Sequence, residues 1–243
     1  TSTEVLTKVE LSPDSEQIFK IPPIMATDCH IRCYHEGGIS RVNLLGTELN
    51  PLYDQPNLLR DATISHTSND HYGKPEDAVM GNREVDHMVG WESARTGFGE
   101  STIFSLPGTV MIENIIVDTY LHRLNSPLSC HIFAANLEAD KLQDAQTSLP
   151  RWKLLCSDGD EIIPENFKQY MLNKEYPEKK FQIMLHQNED TCWPPLLSFA
   201  KLSPDTWHEF DQLESSNAVN TIFYMHYPNG GIHGLKMFGK YIT

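Results

Sequence analysis

The sequence has no long apolar run. It nowhere contains about eighteen consecutive apolar residues, the length that a helix needs to cross a bilayer. The first residues, TSTEVLTKVELSPD, also lack the basic segment followed by an apolar segment that is typical of a secretory signal. We therefore expect a soluble protein with no membrane partner and a cytoplasmic location.

Positive charge is scarce as well. The chain has 19 lysines and arginines against 33 acidic residues, which gives a formal net charge of −14, and the acidic residues are spread along the chain. Nucleic acids and anionic membranes bind basic surfaces. The composition therefore predicts no nucleic-acid partner, and an anionic ligand would have to be held by a local group of Arg and His side chains.

Cysteine is infrequent and has no paired spacing. Five cysteines without a CxxC motif favour reduced thiols in a cytoplasmic compartment. Cys29 and Cys33 are spaced for one face of a strand, and we expect them to be buried there. No HExxH or comparable spacing occurs, so the sequence predicts neither a metal site nor a cofactor. The alternative metal-ligand set is His66, Asp70 and His71, which would come from one loop.

Strand patterns dominate the remaining sequence. Short segments with period-two alternation recur between clusters of Pro, Gly, Asn and Asp, namely DCHIRCYH, STIFSL, MIENIIVDTYL, SCHIFAA, KKFQIMLH and NTIFYMHY. The single helix candidate is PENFKQYML, residues 164–172. This arrangement predicts an all-β protein built as an antiparallel sandwich or jelly roll.

One block of sequence occurs twice. ELSPDSEQIFKI followed by YHEGGISRVNLLG near the start corresponds to KLSPDTWHEFDQL followed by YPNGGIHGLKMFG near the end. Each GG pair between alternating segments predicts a hairpin turn. Self-similarity at so large a separation indicates a duplicated domain, of which the first copy is present only as its tail.

Four motifs resemble those of one enzyme family. SNDHYGKPEDAV (68–79), GWESAR (90–95), VDTYLHRLNSP (117–127) and the two GGI segments resemble SDxHFGxxxN, DGWETxR, VDTxHFxGNxP and YPDGGIxRxRxxG of allantoicases, and metazoan members look most similar. The resemblance implies two jelly-roll, galactose-binding-domain-like β-sandwich repeats. Residues 1–48 would be the closing strands of the first repeat, and 49–243 would be the second, with an expanded stretch at about 137–192.

The resemblance also implies an activity and partners. Allantoicases hydrolyse allantoate to ureidoglycolate and urea in purine breakdown, so the small-molecule partner would be a ureido acid. Two or three strands bury too little surface to be stable alone. We therefore expect a homo-oligomer, or docking of residues 1–48 on another domain or chain.

Allantoate presents a carboxylate and two ureido groups on one carbon. Its site needs a cation for the carboxylate, acceptors for the ureido N–H groups and an acid/base. By resemblance, Arg95 binds the carboxylate and Glu92 accepts from the ureido nitrogens or acts as base. The resemblance implies catalytic roles for Glu92, Arg95, Asp118, His71 and His122, and substrate-binding roles for Arg41, Trp91 and Asn125. Without it, GWESAR would be read as a core Trp beside a surface ion pair.

Several motif positions depart from the family pattern. Val89 replaces the Asp before GWE, Leu124 replaces a Gly, Asn229 an Asp and Gly234 an Arg. The family His is Leu121 here, with His122 one place later; on a strand that displacement would turn the imidazole to the opposite face. These exchanges predict weak or absent activity. The alternative function is a non-catalytic β-sandwich module for binding or structural assembly.

Overall fold

The computed structural model describes residues 3–22, 24, 26, 29–34, 37–45, 56–83, 90–95, 98–156, 159, 161–163, 181–187, 191–215 and 217–242. Its strands are β1 (Thr63–Thr67), β2 (Trp91–Glu92), β3 (Glu100–Asp118), β4 (Ser129–Ala135), β5 (Arg151–Cys156), β6 (Glu161–Ile162), β7 (Phe181–His186), β8 (Pro195–Lys201), β9 (Trp207–Phe210), β10 (Val219–Tyr227), β11 (Gly231–Ile232) and β12 (Gly234–Tyr241). The helices are α1 (Pro75–Met80) and α2 (Leu142–Thr147), with 3-10 turns at Leu58–Asp61 and Ala139–Lys141. The predicted helix at 164–172 lies outside the described residues.

The chain divides into two compact units, Thr1–Glu48 and Leu49–Thr243. Within the first, the described residues form no strand and expose most of their apolar side chains. The predicted strand at DCHIRCYH is therefore wrong for residues 29–34, and Cys29 and Cys33 are exposed rather than buried. A strand exists only where a second backbone pairs with it. That this unit represents the closing strands of a repeat stays a prediction.

The second unit is an antiparallel β-sandwich, which confirms the predicted fold class. One sheet has the order β1-β3-β10-β4-β8, and β12 and β9 pair with the remaining part of β3. A smaller sheet has the order β6-β5-β7, and β11 pairs with β2. Every one of these pairings is antiparallel.

Strand β3 belongs to both layers of the sandwich. Its first half pairs with β10, up to Val110 opposite Val219, and its second half pairs with β12, up to Asp118 opposite Gly234. A straight strand of this length would extend ~60 Å, whereas the few residues joining Tyr227 to Gly234 reach at most ~25 Å. The strand must therefore bend, and Pro107–Gly108 lie between its two halves. The bend brings both ends of β3 to one edge of the sandwich.

The core lies between these layers. It includes Phe104 and Ile115 from the two halves of β3, Tyr224 from β10 and Leu235 from β12. On the outer face of β10, a second cluster contains Phe223 together with side chains from the stretch that the sequence marked as expanded: Ala145, Trp152 and Trp193. This stretch therefore covers the central strands from outside. Strands β4 and β10 are therefore buried on both faces along most of their length.

The second GG pair does not form the predicted hairpin. Strands β10 and β12 each pair with β3 and not with each other, and Gly231 pairs with Glu92 of β2. The hairpin at Gly37–Gly38 is also not observed, since neither glycine lies next to a described strand. The GG pair of the second unit instead serves close packing: a Cβ on Gly230 would lie 2.1 Å from the carbonyl oxygen of Asn125.

Helix α1 was not predicted. It has only six residues, too few to show a helical period, but Pro75 occupies its first turn and the Asp77 carboxylate accepts the N–H of Lys74. Pro75, Ala78 and Val79 are buried. Tertiary packing therefore stabilises this helix. No helix in the described part of the chain is long and apolar enough to span a bilayer.

Candidate functional site

The loop after β3, residues 119–128, is held in place by the second LSPD motif. The Thr119 hydroxyl donates to the carbonyls of Ser203 (2.6 Å) and Thr206 (3.1 Å). Asp205 accepts the Leu121 N–H through Oδ1 (2.8 Å) and the Arg123 guanidinium through Oδ2 (3.0 Å). The duplicated motif therefore anchors the segment that carries His122.

His122 does not lie on a strand, because β3 ends at Asp118. Leu121 has a φ of 63°, in the left-handed region, so the alternation of side chains is broken before His122 is reached. The imidazole packs against Gly231, where an added Cβ would lie 2.2 Å from its Cε1 and Nδ1 atoms. The expectation that the displaced histidine faces away from the other motif residues is therefore wrong. Its consequence for turnover stays a prediction.

Glu92 and Asn125 complete the group around His122. The Asn125 side-chain amide donates to Oε1 of Glu92 at 2.7 Å, and the Asn125 carbonyl accepts the Gly231 N–H at 2.8 Å. Gly231 is also the strand partner of Glu92. Three segments that are distant in sequence thus converge on half-buried Glu92, His122 and Asn125, which we call the Glu92–His122 site.

Burial lowers the pKa of His122 below its usual 6.5. The Glu92 carboxylate and the Asn125 side chain act in the opposite direction, while His233 adds to the lowering. The net shift leaves a neutral imidazole near pH 7 beside a carboxylate. A neutral imidazole accepts a proton, and a carboxylate accepts hydrogen bonds from N–H groups.

Trp91 and two histidines lie beneath this site. Trp91 is fully buried, and its indole N–H donates to the Asn69 carbonyl at 2.8 Å. Trp91 therefore supports the site from the core, and its substrate-binding role stays a prediction. His226 is also fully buried, 5.0 Å from the Trp91 ring, and burial lowers its pKa to about 3. His226 and His233 lie within the segments NTIFYMHY and YPNGGIHGLKMFG, but the sequence did not single them out.

Asp118 is buried and engaged with an arginine that the sequence did not indicate. Its carboxylate accepts hydrogen bonds from Nε of Arg83 at 2.8 Å and from Nη2 at 2.6 Å. Oδ1 of Asp118 also accepts a hydrogen bond from the Tyr120 N–H. Both carboxylate oxygens therefore accept hydrogen bonds within the protein, and Asp118 holds Arg83 in place. The catalytic role of Asp118 stays a prediction.

His71 and Arg95 lie on segments that run beside Glu92. The Tyr72 N–H donates to the Glu92 carbonyl, and Asn69 Oδ1 accepts from the backbone of both His71 and Ala94. Both His71 and Arg95 are exposed, and within the described residues Arg95 has no acidic partner. Their catalytic roles stay predictions.

The sequence motifs also mark Arg41, Val89, Leu124 and Asn229. Arg41 is exposed in the first unit, and Val89 lies outside the described residues. Leu124 is 95% exposed, and the Asn229 side-chain amide donates to the Ala94 carbonyl. Among the side chains that the structure describes, no three His, Cys, Asp or Glu residues form a metal-binding group.

Several known proteins are similar to this chain over most of its length. A family model described as "Allantoicase repeat" matches residues 57–242. The "Probable allantoicase" of Stutzerimonas stutzeri is 25% identical over 99% of this chain, and that of Schizosaccharomyces pombe is 22% identical over 98%. This chain spans 64% and 60% of the lengths of these relatives.

A solved structure is similar as well. The alignment with the crystal structure of allantoicase from Saccharomyces cerevisiae covers 76% of this chain and 43% of the yeast chain, at 19% identity and a TM-score of 0.49. The family model covers well over half of the residues. The chain therefore belongs to the allantoicase family.

Proposed function

We propose that the protein hydrolyses allantoate to ureidoglycolate and urea at the Glu92–His122 site. The observation that carries the proposal is the convergence of Glu92, His122 and Asn125 from three separate segments, with the imidazole seated on Gly231. Glu92 and Asn125 lie at positions of the motifs that resemble those of the family, and His122 stands one place after the family histidine.

The reaction replaces one C–N bond by a C–O bond. A water oxygen bonds to the central carbon, the bond from that carbon to one ureido nitrogen breaks, and the nitrogen gains a proton as urea leaves. Neutral His122 takes the proton from the attacking water and returns it to the departing nitrogen. Glu92, oriented by Asn125, accepts ureido N–H groups and so fixes the substrate against the base.

Urea release from allantoate by the whole chain tests this function. Glu92→Gln and His122→Asn should each lower kcat/KM about 100-fold or more, because each removes a positioned acceptor or base. Glu113→Gln and His186→Asn make the same chemical changes at exposed positions outside the site. These two control variants should leave kcat/KM unchanged. Equal activity in all four variants would contradict the proposal.

Weak activity remains our expectation because of Val89, which stands where the family has Asp. Val89→Asp with Leu121→His and Leu124→Gly should then increase urea release. If the unmodified chain already releases urea as fast as the triple variant does, the expectation of weak activity is wrong. Allantoate binding without urea release in either chain would instead favour the non-catalytic module.

A further inference from the structure

Arg83 is held on several sides beside the Glu92–His122 site. The Asp118 carboxylate accepts hydrogen bonds from Nε and Nη2 of Arg83. The guanidinium carbon of Arg83 lies 4.8 Å from the centre of the Tyr120 ring and 5.2 Å from that of Trp207. Stacking and a bidentate carboxylate together leave a long side chain little rotational freedom. Arg83 is therefore an immobilised guanidinium.

The described residues occupy one edge of this guanidinium. Asp118 occupies the edge formed by Nε and Nη2, while Nη1 has no protein acceptor among the described residues. The Arg83 side chain is 38% exposed, against 2% for Asp118. A second oxyanion can therefore approach Arg83 from solvent without displacing Asp118.

A short row of rings joins Arg83 to His122. The Tyr120 ring, on which Arg83 stacks, meets the edge of the His233 ring at 5.3 Å, and His233 is near enough to His122 to lower its pKa. His233 is 1% exposed and neither of its ring nitrogens has a hydrogen-bond partner in the described structure. The rings of Tyr120 and His233 therefore link Arg83 to the proposed base.

Local charge also favours an anion here. Lys236 lies 5.3 Å from the centre of the Trp207 ring, so two cations flank one indole. In a chain with a net charge of −14, this is the kind of local cationic group that binding of an anionic ligand requires.

We propose that Arg83, and not Arg95, binds the carboxylate of the substrate, so that Arg83 determines the preference for a ureido acid over a neutral ureido compound. The inference rests on the proposed function for the identity of the ligand. Arg95 is the competing candidate, but it is exposed and has no described partner that would fix its position.

The test compares allantoate with diureidoacetamide, in which a neutral carboxamide replaces the carboxylate. Binding is measured by calorimetry and turnover by urea release. The unmodified chain should prefer the acid on the order of 100-fold, because charge-assisted hydrogen bonds to the guanidinium are lost with the amide. Arg83→Gln should abolish that preference, mainly through KM, whereas Arg95→Gln and the remote Arg151→Gln should keep it.

Folding is controlled separately, since Arg83→Gln leaves Asp118 buried without its partner. Arg83→Gln with Asp118→Asn removes both charges and should show the same lost preference. A folded Arg83 variant that still prefers the acid, or an Arg95→Gln variant that does not, overturns the inference while leaving the proposed function intact. Arg83-dependent binding of the acid without urea release supports the inference and refutes the proposed hydrolysis. Absence of binding to either compound overturns both.

Discussion

The glycine beneath the His122 ring offers a direct test of the site geometry. A Cβ at Gly231 would lie 2.2 Å from Cε1 and Nδ1 of His122 and 3.0 Å from its Cγ. Carbon atoms in contact prefer about 3.5–4.0 Å, so Gly231→Ala must displace the imidazole by roughly 1 Å or more. A misplacement of that size costs on the order of 100-fold in rate. We therefore expect kcat/KM for allantoate to fall about 100-fold.

The same substitution should cost little stability. The obstructing atoms belong to the end of a half-buried side chain that can rotate away, so we expect a loss of less than about 1 kcal/mol in guanidinium chloride unfolding, below the usual range for overpacking. Gly230→Ala is the matched control. There the added Cβ would lie 2.1 Å from a backbone carbonyl oxygen, that of Asn125, which cannot rotate away. Gly230→Ala should therefore lose about 1–3 kcal/mol.

A double-mutant cycle separates the clash from other effects. Once His122→Ala has removed the ring, adding Gly231→Ala should lower kcat/KM no further, because the added methyl group then has nothing to displace. If Gly231→Ala alone keeps full kcat/KM in a normally folded protein, His122 does not act from the position seen here, and the proposed role of the base is refuted.

Two pH dependences follow from the buried histidines. Burial lowers the pKa of His122, and its neutral form is the base, so kcat/KM should be flat near neutrality and fall only at acidic pH. The apparent pKa of this fall should lie below 6.5. The residual kcat/KM of His122→Asn should not show the fall. Burial lowers the pKa of His226 from its usual 6.5 to about 3, so the unfolded chain binds more protons between these values. Stability should therefore be fully present above pH 6.5 and decline as pH falls towards 3, by on the order of 5 kcal/mol in total. His226→Gln should flatten this part of the unfolding free energy profile, and an unchanged profile would contradict the assignment.

The strands that could be predicted from sequence are those whose partners lie within the same unit. STIFSL, SCHIFAA and NTIFYMHY fall in β3, β4 and β10, which pair with one another and are buried. DCHIRCYH has the same alternation, yet its described residues form no strand. Alternation reports which face of a strand would be apolar, but a strand also requires a paired backbone. Pattern alone therefore could not distinguish these segments.

The site was only partly predictable for a related reason. Motif resemblance identified Glu92, His122 and Asn125. Their mutual geometry, however, depends on the left-handed backbone at Leu121, which the sequence around Leu121 does not indicate. Leucine rarely adopts that conformation, so an extended strand was the natural expectation. Arg83 carries no motif signal, and its importance appears only through contacts with Asp118, Tyr120 and Trp207.

The duplicated LSPD motif explains how a leucine is kept in this conformation. The Asp205 carboxylate accepts the Leu121 N–H through one oxygen and the Arg123 guanidinium through the other, on either side of His122. Asp205 itself has a φ of 51°, a conformation that Asp tolerates better than most residues, and Asp14 of the first LSPD has the same value. The motif thus requires aspartate twice over, for its backbone conformation and for its two acceptor oxygens. In the second unit the motif therefore forms a turn that braces the neighbouring loop, which carries His122.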